Sequence, residues 1–108
     1  MTSPVIDVES IRIQEGGDLP KGLYFYALVK VDLHNNESYP HVIQVYARHS
    51  GNIISLSWKS DPLVCEYRLY RGRSMDKYDG YFTIFDAGVE ELYFDDNGNW
   101  VLQNTCNL

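Results

Sequence analysis

The chain is poor in cysteine, proline and methionine, with two, four and two of them among 108 residues. Cys65 and Cys106 are too few for a disulfide framework and too far apart for a metal motif. They read as two reduced thiols, with a Cys65–Cys106 bridge to the C-terminal tail as the alternative. No apolar run approaches the ~20 residues of a membrane-spanning helix. Met1-Thr2-Ser3-Pro4 lacks the basic and apolar regions of a signal peptide. A small complete gene product made in the cytoplasm is therefore the expectation. Positive charge is also scarce: nine Lys and Arg against fifteen Asp and Glu leave a net charge of −6. Such a chain has no general attraction for phosphate backbones or anionic membranes, so neither nucleic acid nor membrane is expected as a partner.

What the chain has in quantity is aromatic and β-forming residues, nine of them tyrosine. Tyrosine suits a pleated surface and an interface alike, because it joins apolar area to a polar tip. In Asn52 to Lys59, Ile54, Leu56 and Trp58 alternate with Ile53, Ser55 and Ser57. In Glu66 to Gly72, Tyr67 and Leu69 alternate with Glu66, Arg68 and Tyr70. A two-residue period marks half-buried strands, so Ile54, Leu56, Trp58, Tyr67 and Leu69 are expected in the core. Leu23 to Leu33 is the longest strand candidate. One of its faces carries Leu23, Phe25, Ala27, Val29, Val31 and Leu33, and the other Tyr24, Tyr26, Leu28, Lys30 and Asp32. Both faces are apolar, so the inward one stays open.

Val5 to Gln14, His41 to Arg48, Tyr81 to Phe85, Leu92 to Asp95 and Trp100 to Leu102 read as further short strands. Glu15 to Gly22 reads as a turn, because paired glycines and a proline interrupt regular structure. Arg71 to Gly80 reads as a charged loop, and Asn97-Gly98 is a hairpin cue. No helix is expected. Seven or so strands in about a hundred residues predict a single all-β domain over 1–108, an immunoglobulin-like β-sandwich with its core at about 10–100, an N-terminal arm and a short C-terminal tail.

Candidate chemistry is sparse. Asp95 to Asn99 could ligate calcium in a tight turn but lacks the rest of an EF-hand pattern, and reads as a solvated hairpin turn. Asp86, Glu90, Glu91, Asp95 and Asp96 cluster in sequence without a separation that defines an acid–base pair. The spacing of His34, His41 and His49 builds no obvious zinc site. Arg68, Arg71, Arg73 and Lys77 interleave with Tyr67, Tyr70 and Tyr78. In an acidic chain that pattern fits a strand face meeting acidic neighbours better than single-stranded nucleic acid. No cofactor and no catalysis are expected.

Three stretches resemble a known family. Leu19-Pro20-Lys21-Gly22-Leu23-Tyr24-Phe25-Tyr26 with Asn36-Glu37-Ser38 is similar to the tyrosine-rich strand and "Gly-Glu-Ser" turn of fibronectin type III modules. Ile54 to Trp58 and Glu66 to Arg71 resemble that fold's Trp-bearing strand and its "Tyr-Arg-Val-Tyr-Arg" neighbour. The tyrosine strand precedes the Trp strand, and Phe94-Asp95-Asp96-Asn97-Gly98 closes the unit. That order resembles the fibronectin type III-like modules of bacteriophage tail, baseplate and head-decoration proteins and of some bacterial surface proteins. The resemblance implies a non-catalytic virion protein, made in the host cytoplasm, packing against other virion proteins with self-association as a further mode. A glycan- or protein-binding module of a bacterial surface or secreted protein is the alternative it implies. Tyr24, Tyr26, Arg68, Tyr70 and Arg71 are the expected interface residues.

Overall fold

A computed structural model describes residues 11–98 apart from 65, 75, 87 and 89. Within them the chain is all-β. The strands are β1 (Arg12–Leu19), β2 (Gly22–Val31), β3 (His41–Ala47), β4 (Asn52–Lys59), β5 (Glu66–Ser74), β6 (Lys77–Phe85) and β7 (Glu91–Asp96). They form two antiparallel sheets, one ordered β1-β4-β7 and the other β3-β2-β5-β6. Buried side chains from both sheets share one core, which makes the fold a β-sandwich with the three-plus-four strand division of immunoglobulin-type domains. The Cys65, Cys106 and Trp100–Leu102 expectations fall outside the described residues, as does Val5 to Gln14 up to residue 10.

The chain passes back and forth between the layers. The β2–β3 and β5–β6 hairpins both belong to the four-stranded sheet, whereas β1, β4 and β7 reach the other sheet from widely separated parts of the sequence. Antiparallel ladders on either side of β4 join these three strands, and the core they share with the hairpin layer holds them against it.

Trp58 and Tyr67 join the layers. Trp58 points inward from β4 and is 1% exposed, and its ring meets Tyr67 of β5 edge-on at 5.8 Å between centroids. Ile54, Leu56 and Leu69 are buried beside them, as the two-residue period predicts. The buried Tyr67 hydroxyl accepts a hydrogen bond from the Asp61 amide at 2.8 Å. The Trp58 indole Nε1 is buried and has no hydrogen-bond partner among the described residues.

β2 lies between β3 and β5 and is buried on both faces, which explains its two apolar sides. Tyr24, Tyr26 and Leu28 point into the sandwich. Lys30 follows on the same face at the rim of the core, where its ammonium meets Asp61 at 2.8 Å. That contact, followed by the Leu63 amide, holds the Asp61 carboxyl below its ordinary range.

Two stretches expected as loops are strand. β1 runs through Gly16-Gly17 to Leu19, with a register shift between Glu15 and Leu19, both of which align with Asn52. A Cβ on Gly17 would stand 2.1 Å from the Asn52 carbonyl oxygen, so the glycine lets the irregular strand close onto β4. Arg71 to Gly80 forms the turn end of the β5–β6 hairpin, with register shifts on either side of Gly72. The bulge breaks the two-residue alternation there, and with it the sequence signal.

Replacing Trp58 with alanine is expected to lower unfolding free energy by about 3–5 kcal/mol in urea titration. Trp58→Phe should cost less, because it also removes the unpaired indole N–H. The Lys30–Asp61 pair makes stability pH-dependent. A depressed carboxyl contributes fully above its unfolded-state pKa of about 3.9 and loses that contribution as pH falls through the lower folded value. Asp61→Asn is therefore expected to unfold more easily than the parent at neutral pH, with the difference vanishing below that window in a pH series of thermal melts.

Candidate interaction surface

The five expected interface residues separate onto two faces. Tyr24 and Tyr26 lie in the core at 2% and 0% exposure, so the expectation that they face a partner is corrected. The sequence left the inward face of this strand open. Packing places the tyrosines inside because their hydroxyls find partners there. Tyr24 donates to the Pro20 carbonyl at 2.6 Å, and Tyr26 donates to Asp96 Oδ2 at 2.7 Å. Burial first, and then the Asp96 carboxylate, push the Tyr26 hydroxyl well above its ordinary pKa.

Arg71 is also an inward residue. It aligns with Tyr26 across the β2–β5 ladder and continues the face of Tyr67 and Leu69. Its guanidinium Nη1 lies 2.7 Å and 2.9 Å from the two oxygens of Asp96, which is wholly buried. Both Asp96 oxygens are thus engaged by Arg71, one of them also by Tyr26, and the Gly98 amide adds a bond at 3.2 Å. This arrangement corrects the reading of Asp95 to Asn99 as a solvated turn at Asp96, which is buried and held by Arg71 while Asp95 stays on the opposite, exposed face of β7; Asn99 lies outside the described residues. Among the described residues no three His, Cys, Asp or Glu side chains gather to hold a metal ion.

Arg68 and Tyr70 do lie on the outer face of the four-stranded sheet. They stand over Val29 and Ala27 of β2, their cross-strand neighbours. Glu37, from the β2–β3 connection, accepts from Arg68 Nη1 at 3.0 Å and from the Tyr70 hydroxyl. Asn35 takes a second Arg68 nitrogen, and Glu66 pairs with Arg68 Nε at 3.2 Å. Burial and the Glu37 carboxylate raise the Tyr70 hydroxyl above its ordinary pKa. Around this network the Tyr70 ring packs against Tyr81 at 5.2 Å and Tyr78 at 5.9 Å, and the Arg68 guanidinium lies 5.2 Å from the Tyr81 ring centre. The result is a preorganised aromatic face. Tyr78, read in the sequence only as part of the basic and aromatic stretch, is joined there by Tyr81 and Glu37, which were not expected at the interface, because only the sheet register and the folded-back connection bring them beside Arg68.

The rest of the basic stretch is dispersed. Arg73 stacks on Tyr24 at 4.4 Å and donates to the Leu23 carbonyl, and Tyr67 is in the core. The acidic cluster is only partly dispersed. Asp86, Glu90 and Glu91 border a pocket of about 740 Å³ at one end of the sandwich, where Asp86 accepts from Ser60, while Glu91 and Asp95 share the outer face of β7. There they border a shallow trough of about 490 Å³ over the small Ser55 and Ser57 of β4, with Arg12, Gln14 and the exposed Tyr93 on its sides. At the end of the sandwich, Leu33 and Leu63 are 92% and 93% exposed and border one small depression with Val31.

Compared with models of protein families, with curated proteins and with solved structures, the chain matches none. Asp96→Ala is expected to cost about 3–5 kcal/mol in urea unfolding, because it strands the Arg71 guanidinium and the Tyr26 hydroxyl.

Proposed function

We propose that this chain is a non-catalytic structural protein of a bacteriophage virion, a tail, baseplate or capsid-surface component that works by packing against other virion proteins. The observation that carries the packing half of this reading is the aromatic face of Arg68, Tyr70, Tyr78 and Tyr81. Tyrosine and arginine are enriched at interface hot spots. Here Glu37 and Asn35 hold Arg68 and Tyr70, and ring contacts hold Tyr78 and Tyr81 beside them, before any partner arrives, so binding orders few further side chains. The virion half rests on the resemblance of Leu19–Tyr26, Ile54–Trp58 and Glu66–Arg71 to phage fibronectin type III-like modules.

The trough on the three-stranded sheet favours a second reading, a glycan-binding module of a bacterial surface. It offers hydroxyl, amide, guanidinium and carboxylate groups beside one exposed ring, Tyr93, the mix that grips a sugar's hydroxyls and its apolar face.

Purified particles from the source provide the test. The chain is expected among their proteins by mass spectrometry. Tyr81→Ala, which leaves the core untouched, should lower its copy number per particle, consistent with a hot-spot loss of about 2 kcal/mol. Absence from particles, with binding to neutral oligosaccharides that Tyr93→Ala abolishes, would replace the first reading by the second.

A further inference from the structure

Among the described residues the two sheets end in four edge strands: β1 and β7 in one, β3 and β6 in the other. Free edges invite pairing with other chains, and proteins commonly block them with charge, bulges, glycine or proline. Three of these edges carry such protection. β1 has Arg12, Glu15 and Asp18 and its register shift around Gly16-Gly17. β7 carries Glu91, Asp95 and Asp96, and β6 carries Lys77 and Asp79 opposite the irregular Gly72 stretch.

β3 is the exception. His41-Val42-Ile43-Gln44-Val45-Tyr46-Ala47 contains no Asp, Glu, Lys, Arg, Gly or Pro. It pairs with β2 residue for residue from His41 opposite Leu28 to Ala47 opposite Gly22, without a shift. Ile43, Val45 and Ala47 are buried against the core, while Val42 and Tyr46 stay 43% and 50% exposed on the outer face.

We infer that β3 is a self-pairing edge, which joins two copies of this chain into an antiparallel, two-fold symmetric dimer with one continuous sheet. The residue order supports a second copy as the occupant. A two-fold axis at Gln44 sets Val42 against Tyr46, Ile43 against Val45 and His41 against Ala47 of the other copy, and Gln44 against itself. Apolar groups meet apolar groups, and the two Gln44 amides can each donate and accept. Two chains of net charge −6 repel one another, and this edge is the one at which they meet without opposing carboxylates. Such a contact is isologous and closes on itself, so it makes dimers and not fibres.

The inference goes beyond the proposed function and does not depend on it. An axis perpendicular to the shared sheet keeps equivalent faces on one side. The Arg68–Tyr70 faces of both copies would then look in the same direction, which doubles the contacts available to a repeating partner surface.

Sedimentation velocity of the full chain over a concentration series provides the test. The parent is expected to pass from monomer to dimer as concentration rises. Val42→Lys/Gln44→Lys sets the two new ammonium groups at position 44 against each other on the axis and a further charge against the apolar Tyr46 ring, and should raise the dimer Kd by about tenfold or more, with an unchanged unfolding transition. Tyr46→Lys carries the same test should the double variant fold poorly. Asp79→Lys, on the opposite edge of the same sheet, should leave the Kd unaltered. A parent that stays monomeric up to its solubility limit overturns the inference, as does a dimer that survives the β3 substitutions or is lost equally with Asp79→Lys. A monomer that still enters particles would overturn edge pairing alone and leave the packing function standing.

Discussion

The buried carboxylate of Asp96 is the point from which the arrangement of this sandwich follows. It sits at the end of β7 in one sheet and receives Tyr26 from β2 and Arg71 from β5 in the other. A charge in the interior persists only with close partners, and the attraction among them is strong because little water competes. The three groups must therefore coincide, which ties the register of β7 on β4 to that of β5 on β2. Lys30 and Asp61 make a comparable contact farther along the same face of β2. Between the two ionic contacts lies the apolar core around Trp58, Tyr67 and Leu28.

Fixing the inner face of β5 also decides its outer face. With Tyr67, Leu69 and Arg71 inside, Arg68 and Tyr70 must point out, and the turn at Asn35 to Glu37 folds onto them. The outer aromatic face is thus as ordered as the core beneath it. Its side chains are engaged in intramolecular hydrogen bonds and ring contacts and cover Val29 and Ala27, which would otherwise be open to water. A surface built this way suits permanent packing, where rigidity favours affinity.

The edges divide along similar lines. Strands that carry charge or irregularity resist further pairing, whereas β3 combines a regular ladder with an uncharged sequence. In a protein as acidic as this one, the location of charge matters more than its total. Among the described residues it falls on three edge strands and spares the fourth.

Much of this architecture was legible in the residues. The two-residue periods of Asn52–Lys59 and Glu66–Tyr70 placed Ile54, Leu56, Trp58, Tyr67 and Leu69 in the core, because alternation is a local property that survives folding. The same rule, carried one step further, puts Arg71 inside, where it was expected outward at the strand end, and Asp96 from the other sheet supplies the partner that makes its burial tolerable. The orientation of β2 was not legible, since apolar residues on both faces satisfy a central strand either way round. Gly16-Gly17 and Gly72 read as breaks because a bulge and a turn use the same residue, and only a partner strand distinguishes them. By itself, then, the sequence determined an all-β chain, its core strands and their alternating faces, all of which depend on near neighbours. The assembly of β1, β4 and β7, the ionic contact at Asp96 and the place of β3 at the edge of the described sheet were decided by tertiary structure, because each depends on how distant segments pack.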